Sequence, residues 1–249
     1  MSGCLLADYE IGQIKELKGL PANGALVSTI VSTDMAKAIA KYYNVDMYEC
    51  LTGFKFIGQK MLEFELNGTG TSLFGFEESY GCLIGDHARD KDAVVATMAL
   101  CEAAAYYKTK NMTLWDAMIE LYERYGYYKD GIVSVTMKGI EGLDKIQSIM
   151  TSLRENPPAE VGGYKITAIR DYKKDTIKNL ATGEVTPTGL PASNVLYFEM
   201  ENNTWICVRP SGTEPKIKLY YGVVGTSLED ADAKSNALAD SVNAMINAF

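Results

Sequence analysis

Hydrophobic positions in the first half of the chain switch repeatedly between the spacing of a strand and the spacing of a helix. Residues 25–30 form a run rich in β-branched side chains, and from Met35 onwards apolar positions recur at helical spacing. The same order repeats from residues 46–51 to a helical pattern that starts at Phe54, and residues 73–76 predict another strand. This alternation predicts an α/β layer.

Two longer helices are predicted after these strands. Residues 92–108 are rich in alanine, and we expect a helix that is buried along much of its length. Thr113 and Asp116 have the spacing of a helix-capping pair and predict the start of a second helix, which ends at Gly126.

The second half of the chain has a different order of elements. Residues 132–137 predict a strand, and the helical pattern that follows it stops before Pro157 and Pro158. Several further strands and a helix that starts at Ser227 are then predicted. These strands span residues 164–170, 195–200, 205–208 and 216–223. Such an order favours a small antiparallel sheet with helices on one face.

Together these patterns predict the fold class α/β with two domains. We expect a three-layer α/β domain with a mixed sheet over residues 1–128, followed by a smaller α+β domain with an antiparallel sheet over residues 129–249. A chain of 249 residues is long enough for two domains of ordinary size.

Composition and charge exclude several classes of protein. Hydrophobic residues make up 47% of the chain and charged residues 22%, which is the balance of a folded protein and not of a disordered segment. A net charge of -8 argues against a nucleic-acid or anionic-membrane partner, because both favour basic surfaces. Any anionic ligand must therefore be bound by a local cluster of positive groups.

The cysteines and the chain start bear on cellular context. The five cysteines are scattered without a C-x-x-C pair, so we expect a reduced, cytoplasmic protein with no metal site. No apolar run approaches the roughly 20 residues that a membrane span needs. Residues 1–3 lead almost directly into an apolar segment, and we expect this first helix to have been cut out of a longer chain.

The strongest chemical signal is the segment 209–218, which lies between two predicted strands. Arg209 offers a guanidinium that can bind a phosphate through two parallel hydrogen bonds, and Ser211 and Thr213 offer hydroxyl groups. Gly212 lets backbone N–H groups approach a ligand, and Lys216 or Lys218 adds charge. The alternative is an ordinary Gly/Pro turn with solvated charges.

A second signal, residues 76–81, follows a predicted strand, where α/β proteins usually bind their ligands. Glu77 and Ser79 suit sugar hydroxyl groups, because a carboxylate accepts hydroxyl protons and a serine can donate or accept. The alternative is a solvated acidic turn.

Two weaker signals lie nearby in the sequence. Residues 86–92 contain His87 and Lys91, either of which could transfer a proton, although Asp90 or Asp92 as a helix cap explains the segment equally well. Thr52 and Gly53 form a predicted strand-to-helix turn, which is either a ligand contact or an ordinary turn.

Taken together, these motifs resemble the α-D-phosphohexomutases, the phosphoglucomutase/phosphomannomutase family, and the resemblance spans essentially the whole chain. Glu77-Glu78-Ser79 matches the sugar-binding Glu-x-Ser loop of the family's third domain. Residues 209–213 match the Arg-x-Ser-Gly-Thr phosphate loop of its fourth domain. Thr52-Gly53 matches a ligand-contacting loop, and Lys91 matches the family lysine proposed to act near the transferred phosphate.

This resemblance implies a role for each motif. Glu77 and Ser79 would bind sugar hydroxyls, Arg209, Ser211, Gly212 and Thr213 would bind the phosphate that is not transferred, and Lys91 would be the proton-transfer candidate. The implied ligands are glucose 1-phosphate, glucose 6-phosphate and glucose 1,6-bisphosphate, with mannose phosphates or a phosphopentose as alternatives.

The family's phosphoserine motif and its Mg²⁺-binding Asp-x-Asp-x-Asp-Arg loop are both absent from the sequence. We therefore expect the C-terminal, substrate-binding portion of a phosphoglucomutase-like enzyme, inactive alone, with Mg²⁺ required only by the full-length enzyme. The remaining alternatives are a non-catalytic sugar-phosphate-binding module and a purely structural module.

Overall fold

The computed structural model describes residues 1–137, 139–212 and 214–249, and it divides into two compact units. Unit 1 comprises residues 1–126 and unit 2 comprises residues 127–249. The sequence predicted this boundary between residues 128 and 129. That position is two residues beyond the observed boundary and lies inside the first strand of unit 2.

Unit 1 contains a mixed sheet with helices on both faces. Strands β1, β2 and β3 are parallel to one another, and the short β4 is antiparallel to β3, which gives the order β2-β1-β3-β4. The elements of this unit are α1 (Ser2–Leu17), β1 (Gly24–Thr29), α2 (Met35–Tyr43), β2 (Asp46–Cys50), α3 (Phe54–Asn67), β3 (Thr71–Phe76), β4 (Cys82–Leu83), α4 (Ala93–Thr109) and α5 (Leu114–Tyr125).

Side chains of β1 point alternately to the two faces of the sheet, and this explains the three layers of unit 1. Ala25 and Val27 pack with α3 in one hydrophobic cluster. Successive strand residues point to opposite faces, so Leu26 faces the other layer, where α1 and α2 lie against the sheet. The predicted three-layer α/β fold with a mixed sheet is confirmed.

Helix α4 starts where the sequence predicts, but its predicted burial is wrong. The carboxylate of Asp92 caps it by accepting hydrogen bonds from the backbone N–H groups of Val94 and Val95. Of its residues, Ala99, Ala103 and Tyr107 are buried, whereas Val94 and Met98 are 78% and 64% exposed. Apolar composition predicted burial, but unit 1 covers only one side of this helix.

Helix α5 confirms the predicted cap. The Thr113 hydroxyl accepts a hydrogen bond from the Asp116 N–H, and the Asp116 carboxylate accepts one from the Thr113 N–H, which is a complete capping box. The helix ends at Gly126, whose φ of 115° favours glycine.

Unit 2 is built around an antiparallel sheet in the order β5-β12-β11-β10-β7-β8-β9, with β6 paired to β7. Its elements are β5 (Tyr127–Thr136), α6 (Gly139–Glu155), β6 (Glu160–Val161), β7 (Tyr164–Asp171), β8 (Thr176–Asn179), β9 (Val185–Thr186), β10 (Leu196–Met200), β11 (Thr204–Pro210), β12 (Lys216–Gly225) and α7 (Leu228–Asn247).

Helices α6 and α7 cover one face of this sheet. Met150 of α6 and Leu238 of α7 belong to the same buried cluster as the alternating strand residues Ile206 and Val208. The intervening residues Cys207 and Arg209 therefore face the other side. The predicted antiparallel sheet with helices on one face is confirmed.

Within the described part of the chain, no helix combines the length and apolar character that crossing a membrane requires. Of the five cysteines, Cys101 on α4 is exposed, whereas Cys4, Cys50, Cys82 and Cys207 are buried.

Candidate functional site

The carboxyl ends of β1, β2 and β3 lie along one edge of the parallel sheet in unit 1. Thr29 ends β1, Cys50 ends β2 and Phe76 ends β3. Because these strands are parallel, the segments that follow them emerge at the same edge, the usual ligand-binding edge of an α/β sheet. The predicted Thr52-Gly53 turn and the Glu77-Glu78-Ser79 loop are both among these segments.

Residues 77–81 form the tip of the hairpin between β3 and β4. The Glu77 N–H donates a 2.9 Å hydrogen bond to the carbonyl oxygen of Gly81, which leaves residues 78–80 as the turn. Tyr80 has a φ of 66°, which is uncommon for a non-glycine residue, and its side chain is 95% exposed. Ser79 is exposed beside it.

The two glutamates of this loop have different environments. Oε2 of Glu78 accepts a 2.7 Å hydrogen bond from the hydroxyl of Thr29, which also lies 3.0 Å from the Ser32 hydroxyl. Burial, and secondarily the charge of Glu78, raise the pKa of Glu77 above its ordinary value, although the positive charge of Lys91 opposes this shift. Glu78 is therefore held by the fold, whereas Glu77 is available to a ligand.

Lys91 and Glu77 meet over Gly81. A Cβ atom built on Gly81 would lie 2.8 Å from Cδ of Lys91 and 2.9 Å from Oε1 of Glu77, so a larger residue would displace these two side chains. The ammonium group of Lys91 lies 3.2 Å from Oδ1 of Asp90 and 5.9 Å from the ring centroid of Phe54. Through Phe54, Lys91 is also near the turn formed by residues 52–53, in which Gly53 has a φ of 120°.

The segment that carries Lys91 is packed closely against α3. A Cβ atom built on Gly58 would lie 2.1 Å from the backbone carbonyl oxygen of Arg89. The Arg89 guanidinium donates hydrogen bonds to the carbonyl oxygens of Asp86 and Ala88 and pairs with Glu65 of α3. These contacts position the segment immediately before Lys91.

His87 is bound to the cap of α4. Its Nε2 lies 3.0 Å from Oδ2 of Asp92, and this contact is the main reason why the pKa of Asp92 is lowered. The sequence left open whether Asp90 or Asp92 caps the helix, and the structure identifies Asp92. His87 as a proton-transfer group remains a prediction.

In unit 2 the strand register brings three polar residues into one row. Arg209 of β11 lies directly opposite Lys218 of β12, and Lys218 lies directly opposite Ser134 of β5. Residues paired in this way project from the same face of a sheet. This is the face not covered by α6 and α7, because the buried Val208, Ile217 and Leu219 have the opposite orientation.

A second row lies about 7 Å further along the strands. Lys216 pairs with Thr136, and the Ser211 N–H donates a 2.8 Å hydrogen bond to the carbonyl oxygen of Lys216. The Ser211 hydroxyl accepts a 3.3 Å hydrogen bond from the Glu214 N–H, which stabilises the loop. Thr213, the remaining predicted phosphate contact, lies outside the described residues.

The charges in these rows leave positive groups available to an anion. Lys216 pairs with Glu214 at 3.0 Å. Among the described residues, no carboxylate lies within ion-pair distance of Arg209 or Lys218. A Cβ atom on the exposed Gly212 would meet no atom within 4 Å, so space is open at the turn. The loop and the two rows, which we call the phosphate platform, consist of residues 134, 136, 209, 211, 212, 216 and 218.

The sequence analysis missed Ser134 and Thr136 of the phosphate platform, and Thr29 and Ser32 in unit 1. Alternation along β5 shows that Ser134 and Thr136 share a face, but it does not show which strand pairs with β5. A prediction that β5 pairs with β12 would have placed Ser134 beside Lys218.

The acidic side chains bear on the Mg²⁺ that the resemblance assigns to the full-length enzyme. The described residues contain no group of three or more His, Cys, Asp or Glu side chains that could hold a metal ion. Asp230 and Asp232, the nearest sequence match to a magnesium loop, lie on α7 and pair with Lys234 and Lys129 at 2.8 Å and 2.7 Å. The described residues therefore do not fit Mg²⁺.

Comparison with protein families finds two matches, which are separated by residues 126–155. Residues 2–125 match the α/β/α domain III of phosphoglucomutase/phosphomannomutase, and residues 156–237 match the C-terminal domain of the same family.

Individual relatives agree with this result. The phosphoglucomutase of Staphylococcus aureus (strain bovine RF122 / ET3-1) is 39% identical over 236 residues, which cover 95% of this chain and 42% of the relative. This chain thus spans well under half the length of that protein.

Solved structures show the same fold. The open form of the exocytosis-sensitive phosphoprotein pp63/parafusin, a phosphoglucomutase from Paramecium, matches with a TM-score of 0.63 at 18% identity, over 99% of this chain and 40% of the other. A phosphoglucomutase/phosphomannomutase family protein from Burkholderia thailandensis matches with a TM-score of 0.53 at 14% identity, over 99% of this chain and 41% of the other. The chain therefore belongs to the phosphoglucomutase/phosphomannomutase family of α-D-phosphohexomutases and corresponds to the third and C-terminal domains of its members.

Proposed function

We propose that the phosphate platform of unit 2 binds the phosphate group of a sugar phosphate. The observation that carries this proposal is the row of Arg209, Lys218 and Ser134 on the face of the sheet opposite α6 and α7. Two positive groups without a carboxylate partner among the described residues, next to hydroxyl groups and a turn with open space at Gly212, suit a dianion. In a protein with a net charge of -8, this local cluster supplies the attraction that the whole molecule lacks.

In unit 1, Glu77 and Ser79 bind sugar hydroxyl groups. The Glu77 carboxylate can accept hydrogen bonds from hydroxyl groups, whereas the carboxylate of Glu78 already accepts one from the Thr29 hydroxyl. Thr52 and Gly53 add contacts from the neighbouring strand end. Lys91 is the candidate for proton transfer, because its side chain passes close to Glu77 at Gly81 and its positive charge acts on the Glu77 carboxylate.

Family membership and this division of roles support a proposal for the whole function. The chain is the substrate-binding portion of an enzyme that interconverts hexose 1-phosphate and hexose 6-phosphate through a bisphosphate intermediate. The similarity to a phosphoglucomutase supports glucose phosphates as the ligands. Mg²⁺ and the phosphoserine belong to the remainder of such an enzyme, where the metal would neutralise phosphate charge, and we expect the chain alone to be inactive.

Calorimetric titration with glucose 1,6-bisphosphate tests the proposal. We expect the chain to bind with a dissociation constant between about 1 µM and 1 mM, and Arg209→Ala to weaken binding at least tenfold. Lys178→Ala, which removes an exposed positive charge on β8 of the same sheet, is the matched control and should bind as the parent does.

The outcomes separate the competing readings. Equal loss in both variants would indicate attraction by overall charge, and unchanged binding in Arg209→Ala would contradict the phosphate platform. Parallel titrations with mannose 1-phosphate and ribose 1-phosphate decide among glucose, mannose and pentose substrates.

A further inference from the structure

Unit 1 contains a cavity of about 290 Å³ near the end of its sheet that lies away from the candidate site. Because β1 and β2 are parallel, α2 returns the chain from the carboxyl ends of the strands to this other end. The last residues of α2, Tyr42 and Tyr43, line the cavity, and α1, α4 and α5 supply the remaining walls. Its volume is close to the lower end of the range of about 300–1,000 Å³ that is typical of small-molecule sites.

Two groups of tyrosine rings line this cavity. The ring centroid of Tyr9 on α1 lies 5.4 Å from that of Tyr106 on α4, and the centroids of Tyr42 and Tyr43 are 5.0 Å apart. Tyr42 is 55% exposed, so part of its ring is accessible to a ligand. Aromatic side chains of this kind bind nucleobases by stacking, because every base has a π face. We call the space between α1, α2, α4 and α5 the tyrosine cavity, after Tyr9, Tyr42, Tyr43 and Tyr106.

Two lysines of the tyrosine cavity are held above these rings. Nζ of Lys15 lies 5.6 Å from the ring centroid of Tyr43. Nζ of Lys110 lies 4.2 Å from the ring centroid of Tyr106 and donates a 2.6 Å hydrogen bond to the hydroxyl of that tyrosine. In the described part of the chain, no carboxylate lies within ion-pair distance of either ammonium group. Both lysines are exposed, so their charges are available to an anionic group.

The acidic residues that line the cavity have different partners. The buried carboxylate of Asp8 accepts a 3.1 Å hydrogen bond from the Tyr43 hydroxyl and lies 3.6 Å from the Arg124 guanidinium. Glu120 lies 4.0 Å from the same guanidinium. Glu16 is the third carboxylate, and it can accept hydrogen bonds from hydroxyl groups of a ligand. Arg124 therefore offsets the charge of Asp8, and the two lysines remain as positive groups for a ligand.

Gly12 of α1 contributes to the shape of this cavity. A Cβ atom at residue 12 would lie 2.9 Å from the hydroxyl oxygen of Tyr43. Glycine inside a helix lowers helix stability relative to alanine, and here its small size leaves the Tyr43 hydroxyl room to reach Asp8. The wall of the cavity is thus held in place by a hydrogen-bonded contact between α1 and α2.

We propose that the tyrosine cavity binds a nucleoside monophosphate. The base stacks on the tyrosine rings, the phosphate binds Lys15 and Lys110, and the ribose hydroxyls donate hydrogen bonds to Glu16. A planar base joined to a dianion uses both features of the cavity, its aromatic faces and its two lysines without a carboxylate partner among the described residues. Because none of these groups belongs to the candidate site, the proposal does not rest on the proposed function.

Calorimetric titration of the chain with adenosine 5′-monophosphate (AMP) tests the proposal. We expect one site with a dissociation constant between about 10 µM and 1 mM. Lys110→Ala should weaken binding about tenfold, since it removes a charge that binds the phosphate. Lys108→Ala, at an exposed lysine of the same helix outside the cavity, is the matched control and should bind as the parent does.

The stacking contact is tested by a second pair of variants. Tyr42→Ala should weaken AMP binding at least about fivefold, because it removes a ring on which the base stacks. Trp115→Ala removes a ring of α5 that is 61% exposed outside the cavity, and it should leave binding unchanged. Adenosine should bind more weakly than AMP and should be insensitive to Lys110→Ala. Inorganic phosphate that binds as tightly as AMP would show that the base contributes nothing and would overturn the proposal.

Hydrogen exchange locates the site without any variant. We expect AMP to slow amide exchange in residues 8–16 and 106–124, which contain most of the cavity wall. Unchanged exchange in both segments at about 10 mM AMP, where a site of the expected affinity is mostly occupied, would overturn the proposal. An equal loss of AMP binding in Lys110→Ala and Lys108→Ala would do the same, because it would indicate attraction by overall charge.

Arg209→Ala separates this cavity from the phosphate platform. AMP binding should be unchanged in Arg209→Ala, and glucose 1,6-bisphosphate binding should be unchanged in Lys110→Ala. AMP binding that is lost in Arg209→Ala and retained in Lys110→Ala would place the nucleotide on the phosphate platform and contradict the cavity. Failure of either site therefore leaves the test of the other intact.

Discussion

The hydroxyl of Thr29 donates a 2.7 Å hydrogen bond to Oε2 of Glu78, and this contact joins the end of β1 to the loop after β3. Two adjacent glutamates that look equivalent in the sequence therefore differ in the fold. Glu78 holds the loop in place through this hydrogen bond. Glu77 lies near Lys91, and burial raises its pKa.

The first prediction separates these two roles. Glu77→Gln should weaken binding of glucose 1-phosphate about tenfold with little change in stability, because an amide is a poorer acceptor of hydroxyl protons than a carboxylate. Glu78→Gln should lower the free energy of unfolding by about 1 kcal/mol, since it weakens the Thr29 hydrogen bond. Calorimetry and urea unfolding of both variants measure these effects, and the reverse assignment would show that Glu78 contacts the sugar.

The second prediction concerns pH. Because burial raises the pKa of Glu77 above its ordinary value of 4.5, the carboxylate becomes protonated at a higher pH than an exposed glutamate does. Its contribution to stability is present below pH 4.5 and is lost as the pH rises through the raised pKa, whereas its contribution to sugar binding is lost as the pH falls through that pKa.

Affinity for glucose measured from pH 7 downwards checks the second prediction, because an uncharged sugar avoids titration of the phosphate. Glu77→Gln should remove the pH dependence above 4.5. A profile that is identical in the parent and this variant would refute the assignment to Glu77.

The third prediction tests the platform residues that only the register revealed. Ser134→Ala should weaken binding of glucose 1,6-bisphosphate by about 0.5–1.5 kcal/mol, roughly twofold to tenfold, because it removes one neutral hydrogen-bond donor. Thr186→Val, at an exposed hydroxyl on β9 at the opposite edge of the sheet, is the control. An unchanged affinity in Ser134→Ala together with a loss in Arg209→Ala would remove Ser134 from the platform and leave the phosphate loop in place.

The fourth prediction concerns the close contact between α3 and the segment before Lys91. A Cβ atom at residue 58 would lie 2.1 Å from the carbonyl oxygen of Arg89, so Gly58→Ala must displace that backbone. We expect a loss of about 1–3 kcal/mol in the free energy of unfolding, measured in urea. Gly68→Ala, where no atom lies within 4 Å, is the steric control, although its φ of 63° adds backbone strain. A smaller loss at Gly58 than at Gly68 would contradict the close packing.

The fifth prediction concerns Asp8, a buried residue of α1 that is distant in sequence from the candidate site residues. Its carboxylate accepts hydrogen bonds from Tyr43 at 3.1 Å and from Tyr125, and burial raises its pKa. Asp8→Asn keeps an acceptor oxygen and avoids a buried charge, so its stability at pH 7 should be within about 1 kcal/mol of the parent. Asp8→Ala removes the acceptor and should cost about 2–4 kcal/mol. Equal effects in thermal unfolding would show that the tyrosines do not depend on Asp8.

The sequence by itself determined the order of strands and helices, the caps and the local motifs. Alternation of strand and helix periods predicted the three-layer unit, and Thr113 with Asp116 predicted the start of α5. The loops that contain Glu77 and Arg209 were also identifiable, because a loop motif is a local pattern of residue types that does not depend on what packs around it.

Tertiary structure decided which surfaces are covered and which distant residues meet. The apolar pattern of α4 predicted burial, but a periodicity describes the residues of one helix and not the number of neighbours that the fold supplies. The roles of Glu77 and Glu78 depended on Thr29, and the place of Ser134 beside Lys218 depended on the pairing of β5 with β12. These contacts join segments that are far apart in the chain, and strand register between such segments is set by packing of the whole sheet and not by any local pattern.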